Sequence, residues 1–109
     1  MMRKKDPDLE KLEQDLNVMA DSYLYSKRYL KETMEYPDGR NHNRISNSRY
    51  IVAKVENVIR DMDENSRIIL EHEVMERKKN KWYEEYFSTA TYYRSRHKAY
   101  RLFLREIEK

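Results

Sequence analysis

Glycine and proline are rare in this chain of 109 residues, and their positions divide it. Pro7 stands near the start, Pro37 and Gly39 lie close together, and residues 40–109 contain neither residue type. Sheet proteins need many tight turns between short strands, and those turns favour glycine and proline. The distribution therefore predicts an all-α fold of about five helices, with its main break near residues 37–48.

A long N-terminal helix is predicted at the start of the chain. Asp6 is a suitable N-cap and Pro7 suits the first helical position, while the turn at residues 36–39 should end the helix near Glu35. Apolar residues follow with alternating three- and four-residue spacing, which is a heptad seam. This α1 seam comprises Leu9, Leu12, Leu16, Met19 and Tyr23. It could pair with a second copy, giving a homodimer, or pack on the chain's own second helix, and the sequence leaves both open.

The next part of the chain divides into a loop and two further helices. Residues 40–48 are polar and loop-like, so we expect three parts: an N-terminal helix in 1–39, a loop in 40–48 and a helical domain in 49–109. A helix from about Arg49 to Met62 is predicted from its helical apolar spacing. Asp63 can cap a third helix, which should run from Glu64 to about Lys78.

The last thirty residues predict a helix-turn-helix at 80–109. We expect a short helix over residues 80–86, a turn around Phe87 and Ser88, and a longer helix over 89–108. Ser88 is a plausible N-cap for the longer helix, because its hydroxyl can accept a bond from an otherwise unpaired backbone N–H. Such a unit presents its second helix to the major groove of DNA.

One face of that last helix is strongly basic. Helical periodicity turns one set of residues inward: Tyr92, Ser95, Ala99, Leu102, Phe103 and Ile107. The opposite face holds Ala90, Tyr93, Arg94, His97, Lys98, Arg101 and Arg105. Residues 77–109 contain ten Lys/Arg and four Asp/Glu, a net +6, whereas residues 1–76 contain thirteen and sixteen, a net −3; together they give the total of +3. A basic face without acids is what a phosphate-bearing partner requires.

Part of this region resembles a known family. The pattern lies in the last predicted helix: Ser88, Thr91, Tyr92, Tyr93 and Arg94, followed by Ala99 and Phe103. It resembles the C-terminal helix of ArpU/RinA-like small phage late-gene regulators, whose C-terminal unit is similar to region 4 of sigma-70 factors. The segment MDENSRIIL at 62–70 resembles the helix that opens this unit, so the likeness covers about the last 48 residues.

The resemblance implies a sequence-specific regulator of transcription, an activator of phage or mobile-element genes, in the cytoplasm of a bacterial host cell. Its partner would be double-stranded DNA. We expect base contacts from Thr89, Ala90, Tyr93, Arg94 and His97, with Arg94 on a guanine. We expect phosphate contacts from Lys78, Lys79, Lys81, Lys98, Arg101 and Arg105.

Two other functions stay open. The chain could be an adaptor that binds RNA polymerase or another transcription protein, with the α1 seam as the partner or oligomer surface. It could also be a small DNA-packaging or replication protein that uses the same basic helix. A reader of DNA sequence should lose binding when Arg94 and His97 change, whereas an adaptor should fail when Leu12 and Leu16 change.

No pattern for catalysis or cofactor binding is found. The chain has no cysteine, no Gly-rich phosphate loop, and only three histidines, on separate predicted elements. We therefore expect no catalytic residues, no metal, no cofactor and no enzymatic activity. No apolar run approaches the roughly 18 residues of a membrane span, and no apolar segment follows the charged residues 1–8, so neither a membrane partner nor a signal peptide is expected.

Overall fold

The computed structural model of the protein describes residues 7–35 and 42–109. Four α-helices form most of it: α1 Pro7–Glu35, α2 His42–Arg60, α3 Glu64–Leu70 and α4 Thr89–Ile107. A π-helical turn, Glu71–Met75, continues α3, and a 3₁₀ turn, Trp82–Glu85, precedes α4. No strand occurs within the two described ranges, which confirms the all-α fold with its long N-terminal helix. None of the helices described there combines the length and apolarity needed to cross a membrane.

Two predicted helix starts are confirmed by their capping bonds. The Asp63 carboxylate accepts a hydrogen bond from the backbone N–H of Ser66, at 3.2 Å, at the start of α3. The Ser88 hydroxyl accepts one from the backbone N–H of Thr91, also at 3.2 Å, at the start of α4. Each bond satisfies one of the N–H groups that a first helical turn leaves unpaired. The proposed cap of α1, Asp6, lies outside the described residues.

Helix α2 begins at His42 and not near Arg49, so the loop predicted at 40–48 is wrong from His42 onward. Polar residues lower the intrinsic helix preference of this stretch, but contacts with α1 compensate for it. Ser48 is buried, and the Arg44 guanidinium lies 4.4 Å from the centre of the Tyr29 ring. Residues 40 and 41 lie outside the described part.

The segment before α4 also differs from the prediction. The third helix ends in its π turn at Met75 and not near Lys78, and the short helix expected at 80–86 is a single 3₁₀ turn. Between them, Arg77, Asn80 and Lys81 adopt left-handed backbone conformations, with φ of 54°, 58° and 52°. Left-handed residues cannot continue a right-handed helix. Because none of these three residues is glycine, the sequence does not reveal their left-handed conformation.

Within residues 7–35 and 42–109, one hydrophobic core takes side chains from every helix and helical turn. Its buried members are Leu16, Ala20, Tyr23, Val55, Ile59, Ile69, Leu70, Val74, Tyr83, Tyr92, Ala99, Tyr100 and Phe103. The N-terminal helix is therefore part of the same packed unit as residues 49–109, and the Tyr23 hydroxyl also donates a 2.6 Å hydrogen bond to Glu56 in α2.

The α1 seam packs within the chain. Leu16 is 4% exposed and Tyr23 is fully buried, while Leu9, Leu12 and Met19 pack partly buried against the same core. Of the two arrangements that the sequence left open, the structure contains the intramolecular one. Leu16 and Tyr23 of the α1 seam are therefore covered within one chain.

Candidate nucleic-acid interface

The predicted rotation of α4 is confirmed by burial. Tyr92, Ala99 and Phe103 are buried in the core, and Ser95, Leu102 and Ile107 are partly buried. On the opposite side, His97 is partly buried and the other residues are exposed. We call this side the outer face of α4: Ala90, Tyr93, Arg94, His97, Lys98, Arg101 and Arg105. The 3.6-residue period of one apolar stripe thus determines which cations face outward.

Arg94, Lys98, Arg101 and Arg105 give the outer face of α4 four positive charges and no negative one. No Asp or Glu occurs in residues 89–105, so no acid on the helix itself opposes its positive side chains before Glu106. Arg94, Lys98 and Arg101 line one shallow groove together with His97. Within the described part of the chain, no carboxylate lies within ion-pair distance of Arg94. Arg94 is therefore available to an incoming phosphate or base edge.

A hydrogen bond within the groove indicates which ring nitrogen of His97 carries the proton. Its Nε2 lies 3.3 Å from a terminal nitrogen of Arg101. A guanidinium can only donate hydrogen bonds, so His97 Nε2 is the acceptor and the ring proton stands on Nδ1. His97 lines the same groove as Arg94, which lies one turn earlier on the helix.

Acidic residues of other elements approach the edges of this face. Burial alone would raise the pKa of Asp63, but hydrogen bonds from Ser66 and the charge of Lys98 hold that pKa below its usual value. Arg101 shares a cleft with Asp8 and Asp15 of α1. These carboxylates partly neutralise the positive charges of Lys98 and Arg101. Among the described residues, Arg94 has no such carboxylate nearby, so its positive charge is the least neutralised on this face.

All five candidates for base contact lie at the N-terminal end of the same surface. Thr89 and Ala90 are exposed in the first turn of α4, and Arg94 and His97 lie farther along it. Tyr93 is 49% exposed, and its ring meets that of Tyr83 edge-on, with centroids 6.1 Å apart. These five residues thus lie in the N-terminal half of α4, four of them exposed and His97 partly buried.

The six candidates for phosphate contact separate into two groups. Lys98, Arg101 and Arg105 stand on the outer face of α4. Lys78 and Lys79 line a cavity together with residues of α1, and Lys81 occupies its left-handed position just before the 3₁₀ turn. The first group lies on the outer face of α4 with the base-contact candidates, whereas Lys78 and Lys79 lie at the cavity next to α1.

Behind α4, one carboxylate joins three elements. Glu73, in the π turn, accepts a 3.0 Å hydrogen bond from the indole N–H of Trp82 and further hydrogen bonds from the hydroxyls of Tyr92 and Tyr100. We call these four residues the Glu73 network. Burial, the hydrogen bond to Glu73 and its negative charge raise the pKa of Tyr92 above the usual tyrosine value. The network fixes α4 to the π turn and to the 3₁₀ turn.

Stacked aromatic rings also hold the π turn, the 3₁₀ turn and α4 together. His72 stacks on Trp82 with centroids 4.4 Å apart, and Tyr83 stacks on Tyr92 at 3.9 Å. The Nδ1 atom of His72 lies 2.7 Å from the carbonyl oxygen of Ile68, so Nδ1–H donates to it. His72 is thus held by packing, and no group of three or more potential metal ligands occurs among the described residues.

Two residues on the inner side of α4, Arg96 and Tyr100, were not predicted from the sequence. Tyr100 is 4% exposed. The Arg96 guanidinium lies 4.7 Å from the centre of the Tyr93 ring and pairs with Glu13 of α1 at 3.4 Å. Both residues follow Tyr92 at four-residue intervals, so helical spacing could have predicted that all three lie on the same side of α4. Their partners lie on other elements, so the sequence around them gives no sign of these contacts.

Comparison of the chain with protein families, with curated proteins and with solved structures finds no significant match.

Proposed function

We propose that this protein is a sequence-specific regulator of transcription that binds double-stranded DNA through the outer face of α4. The observation that carries the proposal is the exposed, acid-free cationic side of a helix whose opposite side is fixed in the core. A helix held in this way can enter a major groove without losing its orientation. The resemblance to ArpU/RinA-like regulators supports the same function and adds the phage or mobile-element setting and transcriptional activation.

The proposed mechanism divides the outer face of α4 into two parts. Lys98, Arg101 and Arg105 bind phosphates and position the domain, which supplies affinity that weakens with salt. Arg94 and His97 reach base edges, and the Arg94 fork bridges O6 and N7 of a guanine. The Glu73 network keeps α4 from rotating, so that these side chains keep their register.

The adaptor function receives less support. It assigned the partner surface to the α1 seam, and that seam is occupied by the protein's own core. An adaptor would need a different contact surface, whereas the surface proposed for DNA is exposed as required.

Fluorescence anisotropy with a labelled duplex tests the proposal. A triple variant, Arg94→Ala, Lys98→Ala and Arg105→Ala, should bind on the order of 100-fold more weakly at moderate salt. The slope of log affinity against log salt should fall by about 0.9 for each phosphate that the variant no longer neutralises.

The matched control carries Arg28→Ala, Lys31→Ala and Arg49→Ala, three exposed cations of α1 and α2. It lowers the net charge by the same amount but should bind duplex DNA nearly as well as the wild type. Equal losses in both triple variants would show non-specific attraction to the whole chain and would overturn the proposed interface.

A further inference from the structure

A polar cavity lies on the side of α4 that faces α1. It has a volume of about 310 Å³ and is bounded by α1, by the π turn with the residues that follow it, and by α4. This volume is at the lower end of the range of small-molecule sites, which starts near 300 Å³. The cavity is lined by Arg96 and Tyr100, from the inner side of α4, so it is separate from the groove that contains Arg94.

The lining carries more positive than negative charge. The lining contains four cations, Arg77, Lys78, Lys79 and Arg96, and two carboxylates, Glu13 and Glu73. Two further carboxylates, Asp21 and Glu76, pair with Arg77 and Lys78 from outside the lining. Since Glu73 already accepts three hydrogen bonds inside its network, its oxygens are engaged by the protein.

The four cations are not equally engaged. Arg77 contacts Asn17 at 3.1 Å and Asp21 at 3.3 Å, so its guanidinium fastens α1 to the segment after the π turn. Lys78 has only a 3.9 Å contact with Glu76. Among the residues that the structure describes, Lys79 has no carboxylate within ion-pair distance. Two ammonium groups therefore remain available at the rim of the cavity.

Arg96 contributes a donor of a different kind. One of its terminal nitrogens pairs with Glu13, and the side chain is 18% exposed and lines the cavity. A guanidinium carries several N–H donors in a fixed plane, so Arg96 can hold Glu13 and still offer a donor and a positive charge to an anion.

We propose that this cavity binds a small molecule that carries a phosphate monoester. The phosphate would accept hydrogen bonds from the Arg96 guanidinium and from the ammonium groups of Lys78 and Lys79. The three terminal oxygens of a phosphate dianion can meet donors that approach from different sides, and its charge is attracted by these three cations. The Leu16 side chain and the Tyr100 ring, which also line the cavity, would contact the rest of the ligand. This site does not depend on the proposed function.

Isothermal titration calorimetry with the full chain tests the site. The probes are ribose 5-phosphate and adenosine monophosphate, each matched by its unphosphorylated counterpart, ribose or adenosine, and citrate serves as a carboxylate probe. We expect saturable binding of at least one phosphorylated probe and no binding of its counterpart. No saturable binding of either phosphorylated probe, or binding of citrate with equal affinity, would overturn the assignment of a phosphate ligand.

Two variants test the residues that form the site. Lys79→Ala changes an exposed side chain and should weaken binding about tenfold or more, because it removes a charge-assisted hydrogen bond to the phosphate. Arg96→Lys keeps the charge but removes the planar guanidinium with its fixed donors, and it should weaken binding similarly. The control variants Lys31→Ala and Arg94→Ala should bind the probe like the wild type.

Thermal unfolding of each variant without ligand shows whether its fold is intact. Undiminished binding by folded Lys79→Ala and Arg96→Lys proteins would contradict the site. Because Arg94→Ala is expected to lose DNA binding and keep ligand binding, failure of one proposal can be told from failure of the other.

Discussion

Glu73 is the side chain on which the placement of α4 depends most. Its carboxylate joins Trp82 in the 3₁₀ turn to Tyr92 and Tyr100 in α4, across a junction that contains left-handed residues and no regular helix. A buried network of this kind rigidifies a structure only when every donor finds its acceptor. Glu73 satisfies three donors at once, so its removal affects three elements together.

We predict that Glu73→Ala lowers the free energy of unfolding by about 2–4 kcal/mol, because it leaves the Trp82, Tyr92 and Tyr100 donors without an acceptor. Urea denaturation followed by circular dichroism measures this change. Glu85→Ala, at an exposed position of the 3₁₀ turn, is the control and should stay within about 0.5 kcal/mol of the wild type. Equal stability of the two variants would contradict the role given to Glu73.

At the residue scale, the sequence predicted the direction of apolar side chains better than the partners of polar ones. The rotation of α4 followed from its apolar spacing, and Tyr92, Ala99 and Phe103 are buried as expected. Arg96 could not be recognised in this way, since its partner Glu13 lies on α1, far away in the chain. Polar networks between distant segments depend on the tertiary fold and leave no periodic signal.

Among the elements, boundaries marked by capping side chains were predictable. Asp63 and Ser88 cap α3 and α4 as expected, because an N-cap acts within three residues of its own position. The π turn and the left-handed residues at Arg77, Asn80 and Lys81 were not predicted. Left-handed backbone usually coincides with glycine, and here three larger side chains occupy it, so the local sequence gave no warning.

We predict that Ser88→Ala destabilises the protein by about 1 kcal/mol, because the backbone N–H of Thr91 loses its acceptor at the start of α4. Ser88→Asp should retain most of the stability, since a carboxylate can accept the same bond and interacts favourably with the helix N-terminus. Chemical denaturation of both variants, with Ser46→Ala at an exposed position of α2 as control, checks this. A loss in Ser88→Asp as large as in Ser88→Ala would contradict the capping role.

For the whole molecule, the α1 seam shows why a heptad pattern alone does not define an oligomer. A seam with this spacing can pack on a second chain or on a neighbouring helix of the same chain, and here it packs on the chain's own core. The sequence predicted which residues of α1 would pack but not what they would pack against. That choice depends on whether α2 and α4 offer a complementary apolar surface, which only the assembled fold shows.

We predict that Leu16→Ala lowers the free energy of unfolding by about 2–5 kcal/mol, as expected for a buried leucine with 4% exposure. The urea midpoints of the wild type and of this variant should not change with protein concentration, because the contacts of Leu16 lie within one chain. Val18→Ala, at an exposed position of α1, is the control and should have little effect. A midpoint that rises with concentration would indicate that α1 stabilises an oligomer instead.

Selection from a random duplex-DNA library is the most direct test of whether the outer face of α4 reads DNA sequence. The wild type and Arg94→Ala would be selected in parallel. We expect an enriched motif for the wild type, with preference lost at one guanine-containing base pair in the variant and a cost of roughly 1–3 kcal/mol there. Enrichment of no motif by the wild type, or of an identical motif by both proteins, would contradict it.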